Sequence, residues 1–244
     1  MICNDRQSTI GVLASGGLDS SILVAHLLDL GRRVQPFYIR FGSTWQEAES
    51  ASLRRFLAAM HGPLLQPLIV LEMPIADLYG DHWSTTGRDV PSAETPDEAV
   101  YLPGRNLLLI VKAALWCQLN GIGQLALAPL RSNPFADATP AFFAEFEAVL
   151  NRAEATGLTL LRPFAELSKR QVMQLGRAYP LHLTFSCIDP CGGTHCGACN
   201  KCAERQQAFR LIGEADQTQY RCQSSSSSLP SPSPSEQSSR TMIA

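Results

Sequence analysis

The apolar positions of this chain fall into short runs separated by helical patterns. Thr9 to Ala14 is an apolar run that ends at Ser15-Gly16-Gly17, and Leu18, Ile22, Leu23, Leu27 and Leu30 then recur at three- and four-residue steps until Gly31. That order predicts strand, glycine turn and helix. Val34 to Ile39 predicts a short buried strand. Thr44 and Glu47 are spaced as a capping box ahead of the helical face Ala48, Ala51, Leu53, Phe56, Leu57 and Met60. Pro67 stands before the next strand, Leu68 to Leu71, where its missing N–H is tolerated.

Asn106 to Leu119 is apolar on nearly all sides, the pattern of a helix packed deep against a sheet, and Gln124 to Ala128 predicts the strand after it. Thr139-Pro140 caps and opens a helix carrying Phe142, Phe143, Phe146, Val149 and Leu150. Leu158 to Leu161 predicts another strand, Ser168 with Gln171 forms a second capping box, and Cys202 to Ile212 has helical spacing. Residues 74–103 are weakly patterned, with four prolines, and predict a long loop with a short helix; such loops in compact domains tend to be functional. The alternation as a whole predicts an α/β fold, a Rossmann-like, mostly parallel sheet with helices on both faces. It occupies residues 1–180, a small metal-binding helical subregion occupies 181–215, and the Ser/Pro-rich tail 223–244 is too poor in apolar residues to fold.

Composition narrows the function classes. A chain of 244 residues buries roughly 70% of its unfolded surface, enough for a complete α/β core. Its net charge of -2 supplies no long-range attraction to a polyphosphate backbone, so nucleic acid is disfavoured as the main partner. No apolar run reaches membrane-spanning length and Met1 to Arg6 lacks the stretch of a signal peptide; the expectation is a cytoplasmic protein. Of the eight cysteines, five lie between Cys187 and Cys202, and in a reducing compartment that clustering means metal rather than disulfides. Cys117, inside an apolar helix, reads as a small core residue.

The turn Ser15-Gly16-Gly17-Leu18-Asp19-Ser20 sits where an open α/β sheet places its ligand crevice, after a strand and before a helix with unsatisfied N–H groups. The two glycines let a phosphate approach the main chain, and the Ser15 and Ser20 hydroxyls add donors. Asp19 would repel a phosphate, so it is expected to coordinate Mg²⁺ or to hold the loop by accepting backbone hydrogen bonds. The turn is not a Walker A loop, a dinucleotide fingerprint or a hydrolase nucleophile elbow.

Cys187-x8-Cys196-x2-Cys199-x2-Cys202 supplies four thiolates for one tetrahedral ion, zinc ahead of an iron–sulfur cluster. Cys191 and His195 are also within reach, so spacing alone leaves the fourth ligand open. Four protein ligands make the ion structural.

Taken in order, Ser15-Gly16-Gly17-Leu18-Asp19-Ser20, Leu102-Pro103-Gly104-Arg105-Asn106, Pro163-Phe164 with Leu167-Ser168-Lys169, and Ser186-Cys187 with Cys196, Cys199, Cys202, Arg205 and Phe209 resemble the adenine nucleotide alpha-hydrolase superfamily, the N-type ATP pyrophosphatases. Within it the chain is similar, over roughly residues 8 to 213, to the nitrile-forming family of queuosine and related deazapurine pathways. That resemblance implies ATP-dependent adenylation of 7-carboxy-7-deazaguanine, displacement of AMP by ammonia to give an amide, and a second activation that dehydrates the amide to a nitrile. It also implies Cys187, Cys196, Cys199 and Cys202 as zinc ligands, with Cys191 supernumerary, and a homodimer. The chain departs from the family at Tyr38 to Thr44 and at residues 131–140, where the family's acceptor-pocket region differs.

Among individual residues, Arg105 after its Pro-Gly turn is placed to clamp a phosphate or carboxylate, and Lys169 to stabilise charge on a pyrophosphate leaving group; with Asp19 they are the expected catalytic set. Ser15 to Ser20, Arg105 and Asn106 are expected to hold ATP, although Asn106 also suits a helix cap. Tyr38, Arg40, Arg131 and Asp137 are candidates for the acceptor side. His26 and His61 read as packing or surface residues, and His195 as a neighbour of the metal. Two other classes fit the glycine turn: an ATP pyrophosphatase that activates another carboxylate, or a tRNA base for amidation or sulfur transfer, and a nucleotide-binding module without catalysis.

Overall fold

The computed structural model describes residues 8–154 and 157–221. The tail from residue 222, with the Ser/Pro-rich segment and Cys222, lies outside the described residues, as does Cys3. Five parallel strands form the sheet: β1 (Thr9–Leu13), β2 (Arg33–Arg40), β3 (Ile69–Glu72), β4 (Gln124–Ala126) and β5 (Thr159–Leu161), in the order β3-β2-β1-β4-β5. The chain therefore winds outward from β1 to one edge and then crosses to the other side of β1. The reversal opens a crevice beyond the carboxyl ends of β1 and β4.

Helices cover both faces. Ile10, Val12 and Ala14 pack toward α1 (Leu18–Asp29), α2 (Gln46–Ala59), α7 (Lys169–Leu175) and α8 (Asn200–Ile212), with Ile22, Leu53, Phe56, Val172 and Phe209 in that layer. Leu13, Phe37, Ile39 and Leu125 pack toward α5 (Arg105–Leu119) and α6 (Pro140–Glu154), with Ile110, Cys117 and Phe143. Between β3 and α5, the expected long loop contains two one-turn helices, α3 (Ala76–Tyr79) and α4 (Trp83–Thr86), and a 3-10 turn at Asp97–Val100. Among the described residues no helix is long and apolar enough to cross a membrane.

Most predicted elements stand within one or two residues of their expected bounds, and two readings are corrected. Thr44 and Glu47 do not form a capping box: Trp45 is drawn into an apolar cluster, α2 starts one residue later at Gln46, and Glu47 pairs with Arg40 at 2.6 Å. Nor is α5 buried on all sides. Ile110, Ala113, Ala114 and Cys117 are buried against the sheet, whereas Leu107 and Leu119 are exposed. The Ser168–Gln171 capping box is present with both of its hydrogen bonds, and Thr139 accepts from Phe142 N at 3.2 Å.

Cys117 is a core residue, as its apolar surroundings imply, and it explains Gly11. A side chain at Gly11 would start 2.8 Å from the Cys117 sulfur and 2.9 Å from Phe37, so the absence of a Cβ lets α5 lie close on the central strand. Gly11→Ala is therefore expected to cost about 1–3 kcal/mol through overpacking, read as a lower midpoint in thermal denaturation; an unchanged midpoint would contradict this packing.

Candidate active site and metal centre

The turn after β1 is built for close approach. Gly16 takes a left-handed φ of +84, and a side chain there would meet the Glu49 carbonyl and the Leu53 Cβ at 3.1 Å each, so only glycine fits. Ser15 and Ser20 brace the turn from inside: their hydroxyls are 3.1 Å apart, Ser15 N donates to Ser20 Oγ at 3.2 Å, and Gly17 N donates to Ser15 Oγ at 3.3 Å. No side chain caps α1, which begins after Gly17. Its first N–H groups stand at the mouth of a cleft of about 400 Å³ lined by Ser15, Gly17, Leu18, Asp19 and Ser20, a volume in the range of ligand sites with the positive end of a helix directed into it.

Lys169, the first residue of α7, reaches this turn. Its ammonium lies 2.8 and 2.9 Å from the two Asp19 oxygens and 3.1 Å from Glu204 Oε1 of α8. Glu204 also accepts from Lys201 at 2.7 Å. Burial by itself would weaken the ammonium, but the two carboxylates outweigh it and hold the Lys169 pKa above the ordinary lysine range. Burial opposes ionisation of Glu204 too, yet Lys169 and Lys201 pull its pKa down to about 2. Of the two readings of Asp19, a Mg²⁺ ligand or an acceptor from the loop backbone, the second is not seen among the described residues, where the carboxylate accepts from Lys169.

Tyr38, Glu49, Arg105 and Asn106 also line the cleft. Arg105 opens α5 after the left-handed Gly104, is half-buried, and makes no ion pair among the described residues. The Asn106 N–H donates to Asp137 Oδ2 at 3.0 Å, and its amide donates to the Asp137 carbonyl at 3.1 Å. Asp137, buried, is accordingly spent on the start of α5 and does not line the cleft. Arg40 is turned to Glu47 and Glu72, at 2.6 and 3.3 Å, and Arg131 is exposed; neither lines the cleft. Trp45 and Trp83 stack at 5.5 Å and bring the 74–103 segment over the same opening. Glu49, Glu204 and the two tryptophans were not foreseen, since each becomes meaningful only through a partner distant in sequence; Lys201 was missed with them, although its partner Glu204 is only three residues on.

Beside the cleft the sulfurs of Cys187, Cys196, Cys199 and Cys202 lie within 4.8 Å of one another and are buried. This settles the set that spacing left open. Cys191 stands apart in a turn with Thr194, and the His195 Nε2 accepts from Ser186 N at 3.1 Å. Backbone N–H groups of Cys196, Gly197, Ala198, Cys199 and Asp189 point at the cluster's sulfurs at 3.2–3.4 Å, which stabilises thiolate charge and suits a closed tetrahedral zinc site. Arg205, one turn into α8, is 1% exposed and donates to Thr218, Thr184, Ser186 and the Leu181 carbonyl at 2.7–3.2 Å. It stitches the segment before the cluster to the segment after α8. Two ties join the metal region to the cleft: Phe185 N donates to the Gly16 carbonyl at 2.7 Å, and Ala93 N to the Ala198 carbonyl at 2.9 Å.

A parallel α/β sheet with this glycine turn and a four-cysteine metal site defines an ATP-using, ligase-type enzyme of the PP-loop class. Residues 9–213 match the model of the family described as queuosine biosynthesis protein QueC, and the chain belongs to that family. It is 30% identical over 220 residues to a protein of Cellvibrio japonicus named 7-cyano-7-deazaguanine synthase, covering 86% of this chain and 96% of that one. A protein of the same name from Solidesulfovibrio magneticus is 29% identical over 226 residues, covering 86% and 94%. A third, from Chlorobium phaeovibrioides, is 28% identical over 223 residues, covering 86% and 95%.

Because Cys199 is both a member of the cluster and the N-cap residue immediately before α8, Cys199→Ser is expected to remove bound metal and lower the thermal midpoint together. Metal analysis with a melting curve checks this; stoichiometric zinc at an unchanged midpoint would contradict it.

Proposed function

We propose that the chain converts 7-carboxy-7-deazaguanine and ammonia into 7-cyano-7-deazaguanine, with two molecules of ATP cleaved to AMP and pyrophosphate. The observation that carries the ATP half is Lys169, whose ammonium is held at the glycine turn beside the uncapped start of α1. The acceptor is inferred from the name shared by the three relatives.

The Gly16–Gly17 turn and the N–H groups of α1 receive the phosphates of ATP, brought in as the Mg²⁺ complex. Asp19 keeps Lys169 pointed at the turn, where the ammonium stabilises the negative charge that develops on departing pyrophosphate. Arg105, a cation without a carboxylate partner among the described residues, orients the acceptor's carboxylate for attack on the α-phosphorus. The adenylated carbon then takes ammonia and releases AMP, and the resulting amide is activated and dehydrated in the same cleft. Asn133, Pro134 and Phe135 line the acceptor side, in the region where the sequence departs from the family.

Incubation of the metal-loaded protein with ATP, Mg²⁺, ammonium and the acid is expected to yield the nitrile with AMP and pyrophosphate, followed by mass spectrometry. ATP left intact, or AMP formed with a different acid only, would contradict the assignment. Asp19→Asn is expected to slow pyrophosphate release about 100-fold or more, the scale of losing a positioned charge at a transition state, with the fold intact by circular dichroism. Unchanged release would remove Asp19 from the mechanism.

A further inference from the structure

Glu49 lies in the first turn of α2, and its carbonyl oxygen is the group that closes the space behind Gly16. Its backbone therefore backs onto the nucleotide turn while its side chain enters the cleft. There the Tyr38 hydroxyl donates to Glu49 Oε2 at 2.8 Å and to the Gln46 carbonyl at 3.2 Å. Glu49 makes no ion pair among the described residues, and its Oε1 makes no hydrogen bond among them. The charged and titratable groups that face it are Arg105 from α5 and Tyr38 from β2. Of the other carboxylates that line the cleft, Asp19 and Glu204 are both engaged by Lys169, and Asp97 is exposed.

We infer that Glu49 is the base that takes protons from the substrate nitrogen in both rounds of the reaction. The inference rests on the function proposed above. In the first round the lone pair of ammonia forms the C–N bond, AMP leaves with the C–O electron pair, and Glu49 accepts the N–H proton. In the second, the amide oxygen displaces pyrophosphate and leaves a cationic, O-adenylated amide. Glu49 takes one N–H proton, passes it to solvent, and then takes the second as the C–O bond breaks; that N–H electron pair completes the nitrile and AMP departs. Adenylation of the acid itself needs no base, because the carboxylate is already an anion.

The surroundings suit this work. Burial raises the Glu49 carboxyl to about 7, against the pull of Arg105 and of the Tyr38 hydrogen bond. A base of that strength is half ionised at neutral pH and still accepts a proton readily. The rate of proton removal therefore rises with pH through about 7 and levels off above it.

The test uses the full-length, metal-loaded protein and starts from the amide, so that titration of ammonia does not enter. Nitrile formation is followed against pH, and exchange of labelled pyrophosphate into ATP with the acid is followed in parallel. Glu49→Gln is expected to retain pyrophosphate exchange, to lose nitrile formation by about 10²–10⁴-fold, and to lose the limb near neutral pH. Tyr38→Phe keeps the carboxylate but removes a donor that favours its charged form, so the limb should move up by roughly one pH unit. Nitrile formation by Glu49→Gln at the wild-type rate, or equal losses in both assays, would overturn the role. Should Glu49→Gln fail to fold, an unmoved limb in Tyr38→Phe does the same. A wild-type protein that exchanges no pyrophosphate with this acid overturns the functional reading itself, whereas an active wild type with an unaffected Glu49→Gln removes Glu49 alone.

Discussion

The ammonium of Lys169 is the joint on which the site depends. It is mostly enclosed, with 17% of its side chain exposed, and a buried cation is tolerated only when opposite charges and hydrogen bonds compensate its lost hydration. Asp19 supplies one compensation from the glycine turn and Glu204 the other from α8. The two carboxylates come from opposite ends of the described chain, so the lysine takes its position only when the central strand, α7 and α8 have come together. Removing one partner would leave the ammonium under-compensated rather than merely free.

Under the proposed function, that joint would give a metal in the cysteine cluster a part in the chemistry without touching it. Cys199 is the N-cap of α8, Lys201 and Glu204 follow within its first turns, and Arg205 locks the same helix to the segments around it. A closed four-sulfur site fixes where α8 starts, and so fixes where Glu204 meets Lys169. The Phe185–Gly16 hydrogen bond adds a second tie to the turn itself, and the 74–103 segment, pinned to Ala198, brings Trp83 against Trp45 over the opening. Nucleotide turn, metal region and covering loop behave as one wall around the crevice that the sheet order creates.

Much of this was legible in the sequence, for reasons that are local. The strand-turn-helix at residues 9–30, the Ser168–Gln171 box and the burial of Cys117 follow from spacing and side-chain type within a few positions. Strand order was not legible, because pairing depends on contacts between distant segments. The Thr44–Glu47 box failed for a related reason: the burial of Trp45 against Val100, Leu102 and Phe185 outweighed a cap worth about 1 kcal/mol. At the site, spacing could not choose among Cys187, Cys191 and His195, whereas the fold brings only Cys187 to the other three sulfurs. Asp137 looked like a recognition group in an irregular segment, but a helix start with unsatisfied N–H groups claimed its carboxylate. Glu49 carried no local signal at all, since its environment is made by Tyr38 and Arg105.

The most direct test of the central claim, that the cleft activates a carboxylate by adenylation, follows the oxygen atoms of the acid. With both carboxylate oxygens of 7-carboxy-7-deazaguanine labelled with ¹⁸O, complete turnover should place one label in the AMP of each round and none in pyrophosphate, read by mass spectrometry of the nucleotides. Label remaining in the organic product at full conversion, or appearing in pyrophosphate, would contradict the account.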